Sequence, residues 1–317
     1  MSKCTKPKCH VTDNLRCHEG NPDYQKCSFF VAGDSPETQI ESAQQQSSLL
    51  SWTGFTLGMD DVAKFSPRSR VVTIALVGVS DAGKTSFLAT LYLLLLNGQM
   101  LDGYKFAGSF TLGGWEILAS KMRWSGQEPP SFPDHTPRGI SRQPGLLHLA
   151  LKDQSNQLYD VVFADAPGEW FELWAINRFD PQAEGARWLE QHAESVLMFL
   201  DSEKLSSPEH RGNARFQSLK LLDRVFDSYL PHAIGIVWAK YDMFMQNQAI
   251  DVLKQNVDRK KIKRSFNVIS ANFSESLGVI EAVSWSIEHA LEGQEIRAIQ
   301  IPVDYTNPFL SFRGRSE

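Results

Sequence analysis

The chain has 317 residues, 42% of them hydrophobic and 22% charged, enough for one large α/β domain with appendages and cramped for two. A formal net charge of −5 argues against a surface that coats nucleic acid, because displacing counterions needs a basic face. The longest apolar run, Phe87 to Leu96, is too short to span a bilayer, and residues 1–30 lack the apolar core of a signal peptide, so a cytoplasmic protein is expected.

In chain order, residues 1–30 hold all four cysteines, Cys4, Cys9, Cys17 and Cys27. Four thiolates suffice for a tetrahedral structural zinc site that would order a segment with no core of its own. The spacing lacks a Cys-x-x-Cys knuckle, so unliganded thiols in an arm and a disulfide stand as alternatives, the disulfide disfavoured in a reducing compartment. Residues 31–48 read as a polar linker and residues 49–70 as a connecting segment that mixes Trp52, Phe55, Leu57 and Phe65 with turn formers. Residues 71–295 read as one continuous α/β domain and residues 296–317 as a tail.

Within the domain, strands are expected at Val71–Val77, Leu146–Leu151, Tyr159–Ala164, Val196–Leu200, Ala233–Trp238 and Phe266–Ile269, a mostly parallel six-stranded sheet flanked by helices. The second and third are joined by a short turn through Asp153-Gln154-Ser155-Asn156, which predicts an antiparallel pair at one side of the sheet. Helices are expected at Thr85–Leu96, Asp180–Glu194, Ala214–Tyr229 and Ser276–Leu291, and an exposed polar loop at Ser202–Asn213.

The most specific pattern is Gly78-Val79-Ser80-Asp81-Ala82-Gly83-Lys84-Thr85, set between an apolar strand and an apolar helix. Backbone N–H groups of such a loop point inward at phosphate oxygens, and the helix N-terminus adds partial positive charge. Gly78, Ser80, Asp81, Ala82, Gly83, Lys84, Thr85 and Ser86 are therefore the candidate phosphate-binding residues, with Lys84 on the β- and γ-phosphates and Thr85 on Mg2+. Asp165-Ala166-Pro167-Gly168 follows another apolar strand and supplies a carboxylate for Mg2+ through water and a Gly168 N–H for the γ-phosphate. Ala239-Lys240-Tyr241-Asp242 ends a further strand. There Asp242 would accept from guanine N1–H and the exocyclic amine, the Lys240 stem would cover the base, and Ser270-Ala271 would offer an N–H to guanine O6.

Taken together, Gly78–Thr85, Asp165–Gly168, Ala239–Asp242 and Ser270–Asn272 resemble the ordered motifs of a Ras-like, TRAFAC-class P-loop GTPase. More narrowly, the layout and the Asp-Ala-Pro-Gly-Glu-Trp-Phe stretch are similar to bacterial double-GTPase proteins of conflict or anti-phage systems. The resemblance implies GTP and GDP as ligands, Mg2+ dependence, slow hydrolysis, and a protein effector or partner subunits that read the switch loops; antiviral defence rests on it alone.

Three positions depart from that pattern. Ala239 stands where the family has Asn or Thr, which removes a hydrogen bond bracing the base site to the phosphate loop at a cost of about 1 kcal/mol. Glu169 replaces the water-orienting Gln and becomes the candidate general base. The first-switch threonine is assigned to Thr136, which would ligate Mg2+ and meet the γ-phosphate, with Thr111 as runner-up and Arg138 or Arg142 as a candidate cation. A non-hydrolysing nucleotide-bound scaffold and a P-loop ATPase are the alternative functions.

Overall fold

The structure is a computed structural model that describes residues 3–4, 29–31, 55–65, 69–124, 126, 129–133, 145–271 and 276–292. The chain divides into two compact units, Met1–Leu50 and Ser51–Glu317. In the first, Lys3–Cys4 pairs antiparallel with Phe30–Val31. Cys9, Cys17 and Cys27 lie outside the described residues, as do the C-terminal tail and almost all of the expected linker. Among the described residues no group of three His, Cys, Asp or Glu is placed to hold a metal, and no helix is long and apolar enough to cross a membrane.

The second unit follows the expected alternation of strand and helix. Its elements are α1 Met59–Phe65, β1 Arg70–Val77, α2 Lys84–Leu96, β2 Lys105–Gly108, α3 Leu112–Ser120, β3 Gly145–Lys152 and β4 Leu158–Asp165. Then come α4 Gly168–Ile176, α5 Glu184–His192, β5 Ser195–Asp201, α6 Ser202–Ser206, α7 Arg211–Ser228, β6 Ile234–Ala239, α8 Gln248–Arg259, β7 Arg264–Val268 and α9 Leu277–Glu292. The sheet runs β2-β3-β4-β1-β5-β6-β7 and so has seven strands, not six. The added edge strand, β2, is short and largely exposed, so it carries none of the buried apolar run that marks the others.

The pairs β4–β1, β1–β5, β5–β6 and β6–β7 are parallel. As the short Asp153–Asn156 turn requires, β3 and β4 are antiparallel in continuous register from Gly145 opposite Asp165 to Lys152 opposite Leu158. Every residue of β5 is buried, as are Val72–Val77 and Asp160–Asp165, so the sheet centre is covered on both faces. Helices α2, α3 and α9 form one layer, and α4, α7 and α8 pack together in the other. The expected connecting segment contributes to this unit: Leu57 is buried and exchanges backbone hydrogen bonds of 2.9 and 3.1 Å with Leu146.

The region Ser202–Asn213 is largely exposed, as expected, but it is helical at both ends rather than one loop. Asp201 accepts from the Lys204 N–H at 3.0 Å and caps α6, which buries Ser202 and Leu205, and α7 begins at Arg211. Beside β2, a buried polar knot fixes β3 to α3. The ring of His148 lies 2.8 Å from Asp160 through Nε2 and accepts the Phe110 N–H at Nδ1, 3.0 Å, while its carbonyl receives the Trp115 indole N–H at 3.0 Å. Thr111 belongs to this knot. Its hydroxyl accepts the His148 N–H at 2.9 Å and it is fully buried, a structural post on a side chain considered above for the first switch.

Candidate functional site

The phosphate loop leaves β1 where the sheet splits its connections, with β4 on one side and β5 on the other, so it opens at the carboxyl ends of the strands. Gly83 has φ of 89° and Asp81 of 66°, left-handed values that turn the chain into a concave loop before α2. Lys84 folds back over this loop and donates to the carbonyls of Gly78 at 2.8 Å and Val79 at 3.1 Å. Only 6% of its surface is exposed. Burial pulls its pKa down to about 8, against the opposing pull of Asp165, Glu169, Glu172 and Asp81. The lysine is thus poised to exchange two carbonyls for phosphate oxygens.

Thr85 and Asp165 converge from two different elements. The Thr85 hydroxyl on the first turn of α2 lies 3.3 and 3.2 Å from the two carboxylate oxygens at the end of β4. A hydroxyl and a carboxylate are hard oxygen donors that fit Mg2+, an ion that takes few protein ligands and completes its shell with phosphates and water. Ser80 adds a further sign of a polar guest: its hydroxyl oxygen is buried and has no hydrogen-bond partner among the described residues.

The segment after Asp165 differs from the loop expected there, because Gly168 is already the first residue of α4. The helix start is pressed onto the phosphate loop so tightly that a Cβ on Gly168 would stand 2.2 Å from the Ser80 nitrogen and 2.4 Å from the Val79 carbonyl carbon. Only glycine tolerates such an approach. One turn on, Glu172 accepts the Ser80 N–H at 2.9 Å, and the Phe171 ring centre lies 5.7 Å from the Lys84 ammonium. Glu169 directly follows Gly168, is part-exposed, and its charge is felt at Lys84. From the other side Lys204 donates to the Ser80 carbonyl at 3.1 Å and faces Asp81 at 3.5 Å.

The base-binding candidates gather at the ends of β6 and β7. Ala239 registers with Asp201 on β5 and with Val268 on β7, which brings Ser270-Ala271 beside Lys240 and Asp242 in the layout of the sheet. Lys240 takes the left-handed conformation, φ 53°, at the head of the short turn Tyr241–Met243, and Asp242 is exposed on that turn. The Lys240 ammonium is clamped by Asp201 at 2.9 Å and Glu203 at 2.8 Å. Burial opposes its charge, but Glu203 and Asp201 outweigh burial and raise its pKa above the ordinary lysine value.

Of the residues expected from sequence, Gly78–Ser86, Asp165, Gly168 and Glu169 adjoin one another through these contacts, and Lys240, Asp242, Ser270 and Ala271 group at the neighbouring strand ends. Thr136, Arg138, Arg142 and Asn272 lie outside the described residues. Sequence reasoning missed Glu172, Phe171, Lys204, Asp201 and Glu203. Glu172 had one legible signal, its i, i+4 spacing from Gly168, which puts both on one face of any helix starting there.

A mostly parallel sheet with this phosphate loop, the Thr85–Asp165 pair and an acidic side chain beyond a strand-end lysine defines a P-loop GTPase. Comparison with known families agrees with that class. The chain belongs to the Double-GTPase 2 family, whose model matches residues 72–285. Among solved structures it is similar to a nucleolar GTP-binding protein 1 from Plasmodium falciparum, with 16% identity and a TM-score of 0.39, covering 71% of this chain and 88% of that one. No curated protein matches the chain.

Proposed function

We propose that the protein is a Mg2+-dependent guanine-nucleotide switch that hydrolyses GTP slowly. The observation that carries this reading is the seating of Gly168 and α4 directly on the phosphate loop, because the element that would sense the terminal phosphate is the one that now fills its place. Asp242 would take guanine N1–H and the exocyclic amine, a pair of donors adenine lacks, while the clamp of Asp201 and Glu203 holds the Lys240 stem at the base.

Lys84 would leave the Gly78 and Val79 carbonyls and neutralise the β- and γ-phosphates, its positive charge favoured further by the polyanion. Thr85 directly and Asp165 through water would hold Mg2+, which when bound offsets phosphate charge. Thr136 is assigned the further hydroxyl contact on its sequence position alone. For hydrolysis, the oxygen of a water bonds to the γ-phosphorus as the bond to the β–γ bridging oxygen breaks, and Glu169 accepts the water proton. Hydrolysis then lets α4 return to the loop, a change that a partner protein reads. A place in a bacterial conflict system is supported by the sequence resemblance alone.

The test is phosphate release under multiple turnover with Mg2+. Slow, saturable release from GTP supports the proposal. Tight GTP binding without release would favour a nucleotide-bound scaffold, and faster release from ATP a P-loop ATPase.

A further inference from the structure

We infer that Glu172 is an internal anion that competes with the terminal phosphate of a nucleoside triphosphate for the phosphate loop and thereby sets the preference between diphosphate and triphosphate; this rests on the guanine-nucleotide reading above. A concave run of backbone N–H groups is an anion site whether or not a nucleotide fills it. Here the Ser80 N–H is taken by the Glu172 carboxylate at 2.9 Å, a charge-assisted bond of the kind a phosphate oxygen would make.

The position of that bond is what gives it selectivity. The β-phosphate would be cradled at the start of α2 around Gly83–Thr85, further along the loop than the Ser80 N–H that Glu172 takes. The terminal phosphate needs the Gly168 N–H and the space between Gly168 and Ser80. That space is closed, since even a Cβ on Gly168 would stand 2.2 Å from the Ser80 nitrogen. A diphosphate can therefore bind with α4 seated, whereas a triphosphate must lift the helix start and break the Glu172–Ser80 bond.

Charge adds to the sterics. Asp81, Asp165, Glu169 and Glu172 all bear on Lys84, so a γ-phosphate meets a loop whose cation already has four carboxylates about it. The far end of α4 is pinned to the neighbouring helices. Trp174 donates its indole N–H to Glu190 at 3.3 Å and accepts from Arg224 through its carbonyl at 3.1 Å. Lifting would therefore start at the Gly168 end and reach Glu172 at the middle of the helix.

The experiment is equilibrium binding of GDP and of a non-hydrolysable GTP analogue, with Mg2+, to the full chain and to Glu172→Gln, which keeps the acceptor and shape but loses the charge. The expected result is analogue affinity raised about tenfold with GDP affinity within about twofold, the size of one charge-assisted contact. Unchanged analogue affinity, or equal shifts for both nucleotides, would overturn the inference. Hydrogen exchange of unmutated protein gives a second readout: residues 169–172 should exchange faster with the analogue than with GDP, and equal rates would overturn it as well. An unmutated chain that binds neither nucleotide would sink the guanine-nucleotide reading itself, and this inference with it.

Discussion

The methyl group of Ala239 lies against Gly83 of the phosphate loop, so that a Cβ built on Gly83 would stand 3.4 Å from it. The base-binding strand end and the phosphate loop therefore touch through apolar contact at the point where a side-chain hydrogen bond would tie them together. Ala239 is 3% exposed, which makes the contact dry.

Restoring a polar brace at this position should tighten nucleotide binding. Ala239→Asn is expected to raise affinity for GDP and GTP alike by up to about tenfold, the value of one buried hydrogen bond. Calorimetric titration of the variant checks this, and an unaltered affinity would mean that packing against Gly83 already fixes the loop.

Lys84 makes nucleotide binding depend on pH near neutrality. With a pKa of about 8, it is charged below pH 8 and increasingly neutral above it. Phosphates hold it charged, so binding takes up a proton and affinity for GDP should fall about tenfold from pH 7 to pH 9. The stability of the nucleotide-free protein should move in the opposite direction: the unfolded chain binds more protons between pH 8 and the ordinary lysine pKa, so this group's contribution to stability grows with pH there. Titrations and melts across that range, with Lys84→Met as the reference, read both signs.

Glu169→Ala separates chemistry from binding. Losing the proton acceptor should slow single-turnover GTP hydrolysis by about a hundredfold, while GDP affinity changes by less than about threefold. Unchanged turnover would remove Glu169 from the reaction.

Much of this architecture was legible in the chain because the central strands are uninterrupted apolar runs and the phosphate loop has a fixed spacing between them. The elements that escaped have physical reasons. The edge strand β2 buries almost nothing, and α3 contains Gly113-Gly114, a pair that argues against helix until one sees that a Cβ on Gly114 would meet the Phe55 carbonyl oxygen at 2.1 Å. Helix α8 carried an overlooked signal, Asn247 capping the N–H groups of Ala249 and Ile250 ahead of Ile250, Leu253 and Val257 on one face. The nearness of Asp165 to Thr85 and of Gly168 to the phosphate loop was readable from their motif. The docking of α4 on the loop was not, since it depends on Glu172 and Ser80 meeting across 92 residues of chain.

If one pocket holds phosphates through Lys84 and chooses guanine through Asp242, competition binding of GDP against ADP should reveal both at once. The unmutated chain should bind GDP about a hundredfold more tightly than ADP, a preference that collapses in Asp242→Ala, with both ligands lost in Lys84→Ala. Equal affinity for the two diphosphates, or binding that survives Lys84→Ala unchanged, would contradict it.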